Sequence, residues 1–413
     1  MDNIRINQER LWASIMAMAE IGATSKGGSC RLALTDEDKA ARELFASWCE
    51  EAGCEIAVDE IGNMFARRPG ADTHAPAVAT GSHLDTQPTG GKFDGVFGVL
   101  AGLEVVRTLN DHGIKTQTPI EIVNWTNEEG SRFAPAMLAS GVHAGLFDLD
   151  FAMSRADVDG VTFGEALRAI GYDGDEPVGK RQFKALFEAH IEQGPVLEHY
   201  EETIGVVTGG QGQRWYDVSI TGRDSHTGTT PMERRKDALI AAAMLVQSVE
   251  QIALAHPPGV ATVGALAVSP NSRNTIPGSV ELTIDVRNPD DDALSSMAAA
   301  IARLVERVQR DRDVAIACEQ IWYSPPTPFD DGCVNAVRNA TVALGYPYRD
   351  MVSGAGHDAV QVANVTPTAM IFVPCADGLS HNELESAESA DLAAGANVLL
   401  HAVLDRAGIA GDS

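Results

Sequence analysis

The sequence predicts an α/β protein built in two parts. Three observations predict it: strands alternate with helices through the first half and again near the far end, the middle follows a different order, and polar residues collect where strands finish. The larger part, residues 1–212 and 326–413, is expected to be an α/β domain with a mixed sheet flanked by helices. The smaller part, residues 213–325, is expected to be an inserted βαββαβ domain of ferredoxin-like order.

In the larger part, residues 77–80 form an apolar run that passes into Gly81-Ser82-His83, a buried strand entering a loop. Residues 95–109 read as a helix, with a stop signal over 110–113. Residues 119–125 make a second strand that ends close to Glu128-Glu129, and residues 183–191 a third that carries His190 at its end. Residues 368–373 make a further strand, and the loop after it reaches His381. Open α/β sheets gather ligands at the carboxyl ends of their strands, where these polar residues fall. In the smaller part, residues 214–221, 260–268, 279–287 and 314–323 read as strands, with a turn over 271–278. Residues 233–255 and 290–312 read as helices, and Asp290-Asp291-Asp292 suits the positive end of a helix dipole.

With 44% hydrophobic and 22% charged residues, the chain can bury a large core in water. Its formal charge of −27 argues against nucleic acid or an anionic membrane as the main partner. Cys30, Cys49, Cys54, Cys318, Cys333 and Cys375 are scattered without CxxC spacing, which suits reduced thiols in a cytoplasm. The first residues lack the basic start and apolar core of a signal peptide, and no stretch is long enough to span a bilayer. A cytoplasmic protein is expected.

Several metal-binding side chains stand at the strand ends: His83 with Asp85 two residues on, Asp94 between glycine-rich turns, the adjacent Glu128 and Glu129, His190, and His381. Singly, a strand-end histidine is usually an ordinary surface or core residue, and paired glutamates a solvated face. His74, His112, His143, His199, His256 and His401 keep that ordinary reading. Convergence on one sheet edge changes it. A histidine and carboxylate set without cysteine suits two divalent ions, zinc, manganese, cobalt or nickel. Two ions a few ångströms apart need a shared carboxylate, and Asp94 is the natural bridge. Such ions acidify water toward ~7. One of Glu128 and Glu129 then stays free as general base, and the Asp85 carboxylate is placed to orient the His83 ring.

These residues lie within GSHLDTQPTGGKFDGVFGVLAG, NWTNEEGSRFAPAMLASG, AHIEQGPVLE, GQGQRWYDVSITGRDSHTGTTPM, SRNTIPG, SGAGHDA and GLSHNELE. Through them the chain resembles, over nearly its whole length, the M20 metallopeptidase-like superfamily in its hydantoinase/carbamoylase branch. That branch holds N-carbamoyl-L-amino acid hydrolases, β-ureidopropionases and allantoate amidohydrolases. The resemblance implies that His83, Asp94 and His190 hold one metal, that Asp94, Glu129 and His381 hold the other, and that Glu128 is the base. A histidine at 190, where peptidase members usually have a carboxylate, tilts the reading away from a dipeptidase.

The resemblance also makes the inserted domain a lid and dimer interface. It implies a homodimer in which His226 reaches the neighbouring subunit's site to stabilise an oxyanion. Arg214, Asn274 and Arg287 are implied to bind a substrate carboxylate, with Gln213 and His357 nearby. Thr227 departs from the alanine common after the histidine. The expected substrate is a small ureido or carbamoyl carboxylate, an N-carbamoyl-L-α-amino acid or N-carbamoyl-β-alanine, with allantoate as the alternative. A dipeptidase or a catalytically silent metal-binding dimer stands further off.

Overall fold

In the computed structural model, which describes residues 4–411, the backbone divides into two compact units. One runs through Gly209 and resumes at Pro328; the other is Gly210–Thr327.

The larger unit is organised on one sheet. Its main strands stand in the order Glu55–Val58, Met64–Arg68, Ile120–Trp125, Ala77–His83, Phe183–Ile191, Thr368–Val373 and Ile204–Gly210, and the short strands Thr327–Pro328 and Tyr348–Ser353 also pair with Ile204–Gly210. The three pairings among Ile120–Trp125, Ala77–His83, Phe183–Ile191 and Thr368–Val373 are parallel, and the outer ones are antiparallel, so the sheet is mixed. Ala77–His83, Ile120–Trp125 and Thr368–Val373 are buried along their whole length, as strands covered on both faces must be. The helix Val96–Asp111 packs on Ala77–His83, and Ser389–Ala407 packs on Phe183–Ile191 and Thr368–Val373. Because the four central strands run the same way, their carboxyl ends deliver His83, the turn after Trp125, His190 and the loop after Val373 to one edge. The strand expected to stop at residue 80 continues through His83, because the parallel ladder pairs His83 with Trp125.

The smaller unit carries an antiparallel sheet in the order Leu266–Ser269, Ser279–Asn288, Gly212–Thr221, Ala315–Ser324. Tyr216, Val218, Ile220, Val280, Leu282, Ile284 and Val286 point alternately to one face. There they share a core with Leu245 and Val249 of the helix Ala238–Leu254 and with Leu294, Met297 and Ile301 of Asp291–Arg312.

Three local expectations change. The helix expected from residue 233 begins at Ala238, where the Asp237 side chain accepts hydrogen bonds from the N–H groups of Leu239 and Ile240, both 3.1 Å. The strand expected over 260–268 is interrupted between Val260–Thr262 and Leu266–Ser269, and its register against Ser279–Asn288 slips by one residue across the break, a bulge. The turn over 271–278 contains the short strand Thr275–Ile276, which pairs with Ser225–His226. Among the described residues, no helix is long and apolar enough to cross a membrane.

Candidate metal centre

Asp94 is the hub of the strand-end cluster. Its Oδ1 lies 3.1 Å from His190 Nε2 and 3.7 Å from His83 Nε2, and its Oδ2 lies 3.4 Å from His381 Nε2. His381 Nε2 is also 3.4 Å from Glu129 Oε2. Two donor groups result, His83–Asp94–His190 and Asp94–Glu129–His381, each with its ligand atoms within 4.8 Å of one another. Glu128 belongs to neither group. It is buried, and its Oε2 sits 3.6 Å from His83 Nε2. A third group, Glu188–His190–His357, overlaps the first. Both Glu188 oxygens are already used there, accepting from Ser82 Oγ at 2.5 Å and from the Ala359 N–H at 2.9 Å.

The supports differ from one sequence expectation. The His83 ring is not oriented by the Asp85 carboxylate, whose Oδ1 lies 3.9 Å away. Instead, His83 Nδ1 meets the Asp85 main-chain oxygen at 2.9 Å, which leaves Nε2 as the lone-pair nitrogen facing Asp94. The Asp85 carboxylate accepts the N–H groups of Glu128 and Glu129, both at 3.2 Å, and so holds the glutamate turn. Arg42, fully buried, grips the same turn from behind: its guanidinium donates to Thr126 Oγ1, to the Gly62 oxygen and to Asp38. His190 Nδ1 meets the Ile191 oxygen at 2.8 Å.

Sequence reasoning missed Glu385, Gln193 and Ser380. Glu385 Oε1 accepts the N–H groups of Phe93 and Asp94, and Gln193 Nε2 and Ser380 Oγ reach Asp94 Oδ2 at 2.9 and 2.8 Å. The only sequence signal for them is adjacency to His190 and His381.

Gly95 must be glycine. Its φ is +66°, and a Cβ there would stand 2.3 Å from His83 Cε1 and 2.4 Å from its Nε2. Gly95→Ala is therefore expected to displace the imidazole, at a backbone cost of about 1–2 kcal/mol before any clash. Reduced metal content after dialysis and a lower melting temperature would register it.

The electrostatics show what the cluster lacks. Burial, then the charges of Asp358, Glu129, Asp94 and Asp85, push Glu128 well above the ordinary carboxylate range. Burial and Asp94 raise Glu129 to about 8. Burial opposes a charge on His190, but the hydrogen bond and charge of Asp94 outweigh it and raise His190 to about 9. Asp94 likewise raises His381 to about 9, while burial lowers His83 to about 4. The crowded carboxyl groups take up positive charge as protons, held on Glu128 and Glu129 themselves and on His190 and His381. Divalent cations fit this donor set better: they satisfy the carboxylates and need neutral imidazoles.

A pH dependence follows. Glu129 binds its proton more tightly folded, about 8, than unfolded, 4.5. His190 and His381 do the same, about 9 against 6.5. Across that interval the metal-free folded chain carries the extra protons, so its stability falls as pH rises from about 6.5 to 9. Chelated protein should melt progressively lower over this range while metal-loaded protein changes little; a flat profile for the chelated protein would contradict the charge assignment.

The remaining singled-out residues divide between the units. His357 lies in the larger one, buried, its ring centroid 4.6 Å from that of His190, and its Nε2 has no hydrogen-bond partner among the described residues. The others lie in the smaller unit. His226 Nδ1 accepts the N–H groups of Gly228 and Thr229 at 3.0 and 3.2 Å, so the neutral ring carries its hydrogen on Nε2 as a donor. Thr227 ties this arm to Asn274, donating N–H and hydroxyl to the Asn274 oxygen at 3.3 and 3.2 Å.

Gln213 and Arg287 are register partners on the face away from the helices. Arg214, the next residue, faces the helix side, where it donates to Ser295 and Gln320 and stacks on Tyr323. Arg214 and Arg287 therefore do not form one clamp within this unit: neighbouring strand residues point to opposite faces.

Residues 79–405 match the peptidase family M20/M25/M40. The chain is 52% identical over 409 residues to an N-carbamoyl-L-amino-acid amidohydrolase of Rhizobium meliloti, covering 99% of this chain and 98% of that one. It is 40% identical to an N-carbamoyl-L-amino acid amidohydrolase of Geobacillus stearothermophilus, covering 96% and 98%. A crystal structure of an amidase of the hydantoinase/carbamoylase family from Burkholderia multivorans superposes with a TM-score of 0.96 at 59% identity, covering 98% of each chain.

Proposed function

Because the chain belongs to peptidase family M20/M25/M40, in its hydantoinase/carbamoylase branch, we propose that it is a hydrolase of linear amides that cleaves N-carbamoyl-L-amino acids. One water is consumed and the amino acid, ammonia and carbon dioxide are released. The observation that carries this reading is the division of Asp94 between two donor groups, with Glu128 left outside both beside His83.

His83, Asp94 and His190 would hold one divalent ion, and Asp94, Glu129 and His381 the other. When bound, such ions acidify water toward ~7 and polarise a carbonyl oxygen. The rest is done by side chains. Glu128 takes the proton of the attacking water on its Oε2 and returns it to the departing nitrogen. Arg287 and Asn274 hold the substrate carboxylate, with Gln213 beside Arg287. His226 of the partner subunit donates from Nε2 to the oxygen that gains charge. His357, with a buried and unpartnered Nε2, lies next to His190 and is the donor expected to face substrate within the larger unit. Arg214 keeps only a supporting role on the helix side of its sheet. A homodimer is required for the His226 role. Six unpaired cysteines suit a reducing cytoplasm.

The test is ammonia release from a panel of N-carbamoyl-L-amino acids, N-carbamoyl-β-alanine, allantoate and dipeptides. N-carbamoyl-L-α-amino acids should give the highest kcat/KM, chelation should abolish it, and manganese, cobalt or zinc should restore it. Preference for allantoate would move the enzyme within its branch, and dipeptide cleavage alone would overturn the assignment.

A further inference from the structure

The two oxygens of Asp94 stand in unequal surroundings. Oδ1 faces His83 and His190, both buried. Oδ2 faces the half-exposed His381, and it alone accepts two further hydrogen bonds, from Gln193 Nε2 at 2.9 Å and Ser380 Oγ at 2.8 Å. Ser380 Oγ is itself seated 3.0 Å from Glu385 Oε2, while Glu385 Oε1 holds the N–H groups of Phe93 and Asp94 at 2.9 and 3.1 Å. Gln193 and His381 are both in the left-handed region, φ +57° and +54°, a strain that side chains other than glycine rarely bear. Two residues outside either donor group, Gln193 and Ser380, thus converge on one edge of one carboxylate, and Glu385 holds both Ser380 and the Asp94 main chain in place.

We infer that Gln193, Ser380 and Glu385 are positioning residues that aim the Oδ2 edge of Asp94, and so set how tightly the outer ion, the one shared with Glu129 and His381, is held. This rests on the reading that Asp94 is shared by two cations. The inner ion has two imidazoles locked by main-chain oxygens and needs no such help. The outer ion has one exposed imidazole and a glutamate, so the direction of the Asp94 lone pair matters more there. Loss of a hydrogen bond that orients a ligand typically weakens a metal by about 10–100-fold.

The test uses the full chain, stripped by chelator and equilibrated by dialysis against graded Mn²⁺, with bound manganese counted per chain. The unmodified protein should take two ions. Ser380→Ala and Gln193→Leu should hold the inner ion unchanged and weaken the outer one by about 10–100-fold, and Glu385→Gln should do so less. Ser380→Thr, which keeps the hydroxyl, should restore two ions, and melting curves establish that each variant is folded. Equal weakening of both ions, or of neither, overturns the proposal. An unmodified protein that never exceeds one ion instead removes the shared-carboxylate reading, and this proposal with it.

Discussion

Glu128→Gln should keep both metal ions and lose about 10²–10⁴-fold in turnover. The substitution is clean because the turn does not depend on the carboxyl group. The main chain of Glu128 is fixed by Asp85 Oδ1 at 3.2 Å and by the Met137 N–H at 2.6 Å. A glutamine fills the same buried space and removes only the ability to take a proton. The negative charges of Asp358, Glu129, Asp94 and Asp85 around it favour proton uptake, which is what a base needs and an amide does not exploit. Turnover under saturating substrate, with metal content measured on the same sample, decides the matter. A glutamine variant that turns over at nearly the normal rate would take Glu128 out of the reaction.

Asp94→Ala should be more damaging still, because on the proposed reading it removes a ligand from both ions at once. The side chain is buried and receives or faces His83, His190, His381, Gln193 and Ser380. Its loss leaves those groups without a common anion, so neither ion is retained and excess metal does not rescue activity. With the Lewis-acid contribution of several kcal/mol gone, the loss is about a thousandfold or more. His381→Ala, by contrast, should keep the inner ion. Metal analysis of the two variants after identical dialysis separates these outcomes, and an Asp94→Ala protein that still carries two ions would refute the bridging role.

Legibility in the sequence followed the kind of physics involved. Strands buried on both faces declare themselves as apolar runs, so Phe183–Ile191 and Thr368–Val373 were readable to the residue. The strand 260–268 was not, because a bulge depends on the partner strand's register rather than on local composition. The helix start at Ala238 was misjudged because Asp237 caps it after a short turn at Met232–Arg234. Donor residues were legible because histidine and carboxylate at strand ends are chemically conspicuous. Their supports were not. Asp85 holds its neighbours through a contact across 43 positions, and Glu385 reaches Phe93 across 292. No spacing rule sees such partners. The opposite orientations of Arg214 and Arg287 were in principle readable from strand alternation, but only once Gln213 was known to lie opposite Arg287.

The chain leaves the larger unit and comes back to it on neighbouring strands: Gln213 is the register partner of Ser324. Entry and exit of the 210–327 segment are therefore about one strand spacing apart, on the order of 5 Å. Such an arrangement makes the segment a cassette, whose sequence can drift or be exchanged without re-routing the strands that deliver His83, Asp94 and His190 to one another.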